Sequence, residues 1–143
     1  MGSENVYKRQ EHNLKLVAEM PPIFRSRMNN VQPGKTTILV PHGKQTVFWG
    51  KDGTRLRDIT DGTSQTVLVV DASPDHAVTW TQPKDWKVDN LENPIKDLQG
   101  KRKSLCIARC DGSTQNLIGL GTSEAQLKAM LTKSGGEILS EIK

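Results

Sequence analysis

The segment Thr66-Val67-Leu68-Val69-Val70 limits the architecture more than any other part of this chain. It is apolar on both faces, so it predicts an inner strand covered on two sides rather than an edge with one face in water. Only 34% of the 143 residues are hydrophobic, low for a globular domain but above the level at which no core forms. The rest of the core must therefore gather around that strand. Ser73-Pro74-Asp75 turns the chain, and Ala77-Val78-Thr79-Trp80 continues as a second strand. Upstream, Thr36-Thr37-Ile38-Leu39-Val40 and Thr46-Val47-Phe48-Trp49 read as two short strands, with Pro41-His42-Gly43 breaking between them. Downstream, residues 104–110 and 114–118 flank Asp111-Gly112, a good short hairpin signal.

Helical periodicity belongs to the two ends. Leu14, Val17 and Ala18 fall at i, i+3, i+4 within residues 10–20, and Pro21-Pro22 stops the pattern. Near the other end, Ser123 as N-cap and Gln126 three residues on form a capping box. Leu127, Met130 and Leu131 give that helix a buried stripe, and Ser134-Gly135-Gly136 supplies a left-handed stop. Residues 21–35 hold Pro21, Pro22, Asn29, Asn30, Pro33 and Gly34 and read as an irregular connection. Residues 81–100, with two prolines, Asp85, Asp89, Asn90, Asn93 and Gly100, read as a surface loop, and residues 137–142 as a final strand or a fraying tail. The prediction is an α+β fold in a single domain over 1–143: a mainly antiparallel β-sheet with an N-terminal and a C-terminal helix. Its parts are a helical segment at 4–20, the connection at 21–35, a β-rich core at 36–121 containing loop 81–100, and a C-terminal helix and tail at 122–143.

Several classes are excluded. No run of about 18 apolar residues is present, so no segment is read as a transmembrane helix. No charged n-region precedes an apolar stretch, so no secretory leader is read in this chain. The opening Met1-Gly2-Ser3 has the look of an expression scar, which implies an excised fragment. The net charge of +4 is uneven. Residues 1–35 carry six basic against three acidic groups, residues 36–100 seven against nine, and residues 101–143 seven against four. The densest basic run is Lys101-Arg102-Lys103. With no aromatic stacking partner beside it, this run reads as a solvated approach to a strand, and no nucleic acid is expected as a partner.

No residue set points to a catalytic, cofactor or metal site. Cys106 and Cys110 stand four apart, and on a strand that spans roughly 13 Å, against the ~4.4–6.8 Å a disulfide needs between Cα atoms. They share a face with Ala108 between them and are expected as small core side chains. His12 falls on the polar side of a helix, and His42 and His76 in turns, none at a metal-ligand spacing. Asp61-Gly62-Thr63-Ser64 and Asp111-Gly112-Ser113-Thr114 share a pattern in which each aspartate is expected to bond the backbone of its own turn. The alternative is a calcium site at Asp61 or Asp111, although neither segment repeats its carboxylates as a calcium loop does. A Ser64–His76–Asp triad lacks a nucleophile elbow around Ser64. Trp80 and Trp86 are expected to serve the core and a loop, the alternative being an exposed pair that stacks on a sugar or a protein.

Several stretches carry a family resemblance. They are Asp58-Ile59-Thr60-Asp61-Gly62-Thr63-Ser64-Gln65-Thr66 with the following strand to Ala72, Ala77-Val78-Thr79-Trp80-Thr81-Gln82-Pro83-Lys84-Asp85, and Cys110-Asp111-Gly112-Ser113. Further matches are Glu11-His12-Asn13-Leu14 near the start and Leu127-Lys128-Ala129-Met130-Leu131 with the Ser134-Gly135-Gly136-Glu137 tail near the end. In this order, from about residue 5 to residue 140, the chain resembles a large planctomycete family of domains of unknown function. That family usually follows a prepilin-type cleavage and methylation leader, is described as pilin- or pseudopilin-like, and often carries His, nine residues, then Asp-Gly. Gln65 stands where the family usually has Asn, and Lys101 stands where that His would be, so no role of the His carries over.

The resemblance implies a pseudopilin-head-like, non-enzymatic structural or interaction domain with protein partners. It implies an extracytoplasmic or cell-envelope location, while two unpaired cysteines and no leader fit a cytoplasmic one. Without the leader and its long hydrophobic helix, this chain alone is not expected to insert into a membrane or polymerise as a pilin would. The readings from other classes are a carbohydrate- or calcium-binding module, using Trp80 and Trp86 or Asp61 and Asp111, and an enzyme without a recognisable motif.

Overall fold

A computed structural model of the chain describes residues 11–12, 14–28, 30–88, 92–117 and 121–136. Its centre is the expected inner strand. Val67–Asp71 (β4) lies between Ile38–Leu39 (β2) and Cys106–Arg109 (β7), and Thr114–Asn116 (β8) extends the sheet beyond β7, with every pair antiparallel. Val67 and Val70 are both buried although they stand three positions apart, which ordinary alternation would put on opposite faces. A register shift explains it. Val67 opposes Arg109 but Val69 opposes Ala108, so one extra residue of β4 is accommodated and the pleat resets. One face of β4 is thereby sealed, while Leu68 and Val69 stay half-buried, which corrects the expectation of full cover on two sides.

The chain from 35 to 42, expected as one strand over 36–40, is divided among three sheets. Lys35–Thr36 (β1) pairs antiparallel with Val78–Thr79 (β5), β2 pairs with β4, and Pro41–His42 (β3) pairs parallel with Trp86–Lys87 (β6). One local and one long-range side-chain hydrogen bond redirect the backbone between these pairings. The Thr36 hydroxyl accepts from the Ile38 amide at 3.1 Å, and the Thr37 hydroxyl donates to Asp71 Oδ1 at 2.7 Å. The Pro41-His42-Gly43 break is therefore partly strand. The strand expected at 46–49 is instead a turn with one bridge, from Phe48 to His42. Buried Thr46 closes it, its hydroxyl accepting from the Gly43 amide at 3.0 Å and donating to the Gly43 carbonyl at 2.9 Å.

The largest correction concerns residues 81–100. They carry β6 and the helix Pro94–Gln99 (α1), and they place Trp86, Pro94 and Leu98 in the core. Pro94 and Leu98 sit at i, i+4, a one-turn apolar stripe outweighed in the sequence by its polar neighbours. Glu124 caps α1 from a distance, its two carboxylate oxygens accepting from the amides of Ile95 at 2.7 Å and Lys96 at 3.1 Å.

The C-terminal helix forms over Glu124–Leu131 (α2) with its capping box intact. Ser123 Oγ accepts from the Gln126 amide at 3.1 Å, and Gln126 Oε1 accepts from the Ser123 amide at 2.7 Å. Leu127, Met130 and Leu131 are buried as expected. The helix stops earlier than the glycines would place it, at Thr132, which is extended because its hydroxyl turns back to the Ala129 carbonyl.

At the N-terminal side, residues 11, 12, 14 and 15 are helical and lead into a 3₁₀ turn at Leu16–Glu19. Of the expected helical segment at 4–20, residues 4–10 and 13 lie outside the described residues, as do Ile118 and the tail from 137, and Met20 is a buried, non-helical residue that ends the turn. Trp80 fastens this segment, donating from Nε1 to the Val17 carbonyl at 3.3 Å and from its amide to the Gly34 carbonyl at 3.1 Å. Gly34 has φ +78°, and a Cβ there would stand 2.4 Å from Val17 Cγ1, so only glycine lets the two strands of chain approach.

Candidate functional site

The two Asp-Gly corners lie side by side. Asp111 donates its amide to the Thr63 carbonyl at 3.1 Å, and Cys110 donates to the Thr66 carbonyl at 2.9 Å. Asp111 behaves as its turn chemistry predicts, accepting from the Ser113 amide at 2.9 Å within the β7–β8 hairpin. Hydrogen bonds from the Ser113 hydroxyl and amide lower its carboxyl below the ordinary range.

Asp61 departs from expectation. Its carboxylate reaches across the chain to the turn after α2, accepting from Gly135 N at 2.6 Å, Gly136 N at 2.9 Å and Thr132 Oγ1 at 3.2 Å. Burial raises its pKa, but the amides of Gly136 and Gly135 and the Thr132 hydroxyl outweigh it and hold the carboxyl below the usual value. The same turn grips other segments. Lys133 donates its amide to the Gln45 carbonyl at 2.9 Å and its ammonium to Thr54 Oγ1 at 3.1 Å. Both oxygens of Asp61 therefore face protein donors, an arrangement that favours a bare carboxylate over a cation ligand. Among the described residues, no group of three or more His, Cys, Asp or Glu side chains is placed to hold a metal ion.

A second polar cluster was missed in the sequence because its members are far apart. Asp97, in α1, accepts from Trp86 Nε1 at 2.8 Å and stands 3.2 Å from His76 Nε2, in the 3₁₀ turn Pro74–His76. The two border a cleft of about 390 Å³, with Lys84 and Asp85 on its rim. Beside it the Ser73 hydroxyl is buried without a hydrogen-bond partner. An aspartate that orients a histidine is half of an acid–base relay, yet this carboxylate also anchors a core indole. No hydroxyl or thiol hydrogen-bonds the imidazole among the described residues, and Ser64 is exposed in the Asp61 turn.

The tryptophans do not form an exposed pair. Trp86 is 3% exposed, a core residue rather than a loop cap. Trp80 is half-buried and stacks on Phe24, with ring centroids 5.8 Å apart and planes 17° from parallel. The cysteines also differ from expectation: Cys106 is exposed and Cys110 half-buried, both as free thiols. The core face along β7 is set instead by Leu105, just before the strand, and Ile107 within it, whose larger side chains win the buried positions. Burial, and after it the charge of Asp111, pushes the Cys110 thiol upward.

Within the basic run, only Lys101 and Lys103 are exposed. Arg102 is turned inward, donating from Nη2 to the carbonyls of Asp71 at 2.5 Å and Leu98 at 2.9 Å. His12 is exposed, while His42 lies in β3 rather than a turn, its ring tilted against Trp49 at 5.3 Å.

One surface feature had no counterpart in the sequence reading. From 43 to 58 the chain leaves the sheets, and this excursion exposes Phe48 (39%), Trp49 (41%) and Leu56 (71%). Thr54 Oγ1 donates to the Val47 carbonyl at 2.6 Å and closes the base of its tip at 48–53.

Residues 22–124 match the model of a family described as protein of unknown function, DUF1559. No curated protein and no solved structure matches the chain.

Proposed function

We propose a structural and interaction role for this chain, which belongs to the DUF1559 family of proteins of unknown function. The role is that of a non-enzymatic, pseudopilin-like domain working outside the cytoplasm, with proteins as its partners. No helix among the described residues is long and apolar enough to cross a membrane.

One observation carries the reading: Asp61, Asp71 and Asp97 are bound up in holding the fold. Asp61 clasps the turn at 132–136, Asp71 accepts from Thr37 and pairs with Arg102 at 3.5 Å, and Asp97 anchors Trp86. A catalytic carboxylate needs freedom to change its charge and partners during turnover. These three lose fold contacts whenever they do so.

Fractionation of the source cells, with cross-linking before lysis, tests the proposal. The expected result is recovery in the envelope or surface fraction, cross-linked to other proteins. Recovery as an uncross-linked cytoplasmic species would overturn it.

A further inference from the structure

The excursion at 43–58 combines exposed apolar side chains with exposed cations. Phe48, Trp49 and Leu56 are exposed on it, and so are Lys44, Lys51, Arg55 and Arg57. Only two acidic residues oppose those cations: Asp52 is exposed, and Asp58 accepts from the Arg55 amide at 3.2 Å and pairs with Arg57 Nε at 3.9 Å, which leaves the segment with a net positive charge. Residues 36–100 as a whole have two more acidic than basic groups, so this segment is a basic island in an acidic stretch.

Size decides which partner suits it. The three exposed side chains offer roughly 300 Å² of apolar surface, short of the roughly 450 Å² of non-polar area within the ~800 Å² that a stable protein interface buries per side. A lipid interface requires far less. Tryptophan and phenylalanine settle at the headgroup boundary while flanking lysines and arginines meet anionic headgroups.

We propose that residues 44–58 form a peripheral docking surface for an anionic lipid bilayer, with Phe48, Trp49 and Leu56 entering the headgroup region and Lys51, Arg55 and Arg57 contacting lipid phosphates. The fold supports such a rigid tip. Val47 and Thr54 close its base, and Lys133 pins both flanks through Gln45 and Thr54. The chain would lie on the membrane and not cross it.

The test is partitioning of the purified chain onto vesicles of phosphatidylcholine with and without phosphatidylglycerol. Binding is expected only with phosphatidylglycerol and should weaken as salt screens the cations. Trp49 is the reporter, because Trp80 is stacked on Phe24 and Trp86 is in the core. Brominated lipid should quench emission in the native chain and lose most of that quenching in Trp49→Phe. The pairs Phe48→Ala with Trp49→Ala, and Lys51→Glu with Arg55→Glu, should each reduce partitioning about tenfold or more; all four positions are exposed, so both variants should fold. Equal binding to neutral vesicles, no binding to anionic ones, or binding untouched by both pairs overturns the proposal. Self-association without lipid that Phe48→Ala with Trp49→Ala abolishes, in a chain that ignores vesicles, would assign the surface to a second copy instead.

Discussion

Asp61 accepts a 2.6 Å hydrogen bond from the amide of Gly135, 74 residues later in the chain. This contact, with the one from Gly136, ties the loop before β4 to the segment after α2. Charge-assisted bonds of this kind are stronger than neutral ones. Asp61→Asn should cost about 1–2 kcal/mol in urea unfolding. Hydrogen exchange should show the amides of Gly135 and Gly136 losing protection while the β4–β7 ladder keeps its own. Equal protection of those two amides in both proteins would remove the clasp from the account.

The same contact fixes an acid response. Asp61 has a folded pKa below its ordinary 3.8 because hydrogen bonds from Gly136, Gly135 and Thr132 overcome the opposing effect of burial. A carboxylate with a depressed folded pKa stabilises fully above its unfolded value and stops doing so as pH falls through the folded one. The stability gap between the native chain and Asp61→Asn should therefore be complete at pH 7 and narrow below about pH 4. Urea midpoints at pH 7 and pH 3 measure it, and a gap of constant size would contradict the assignment.

The basic run should divide sharply on mutation. Arg102 bonds the carbonyls of Asp71 and Leu98 and pairs with the Asp71 carboxylate, so Arg102→Ala should cost about 2–3 kcal/mol. Arg102→Lys should recover little of this, because an ammonium cannot reproduce the guanidinium fork. Lys101→Ala and Lys103→Ala, at exposed positions, should each stay within about 0.5 kcal/mol. Comparable losses at all three would mean that the run acts as a unit.

Thiol labelling separates the cysteines. Cys106 is exposed, whereas Cys110 is half-buried with its thiol pushed above 9.0 by burial and then by Asp111. At pH 8 a disulfide reagent should modify Cys106 first and Cys110 several-fold more slowly, since the thiolate is the reacting form. Asp111→Asn should speed Cys110 and leave Cys106 unchanged. Faster reaction at Cys110 in the native chain would reverse the burial assigned to the two cysteines.

The legible parts of the fold are those whose partners lie within a few residues. The Ser123–Gln126 capping box, the Asp111-Gly112 hairpin and the turn at Ser73-Pro74-Asp75 all formed where the sequence placed them. The candidate sites read less well. Asp97 pairs with a histidine 21 positions away, and Trp86 lies within a stretch whose prolines and aspartates suggested solvent.

By itself, the sequence determined the central strand, the C-terminal helix with its cap, and the tight corners, because local hydrogen bonds and short-range periodicity depend on neighbours along the chain. Tertiary structure decided which faces are buried and where the polar groups bond. One extra residue in β4 resets its pleat, Leu105 and Ile107 displace the cysteines from the core, and Asp61 leaves its own turn for a distant one. Those outcomes depend on strand register and on the closure of long loops, and neither is encoded in any short window of residues.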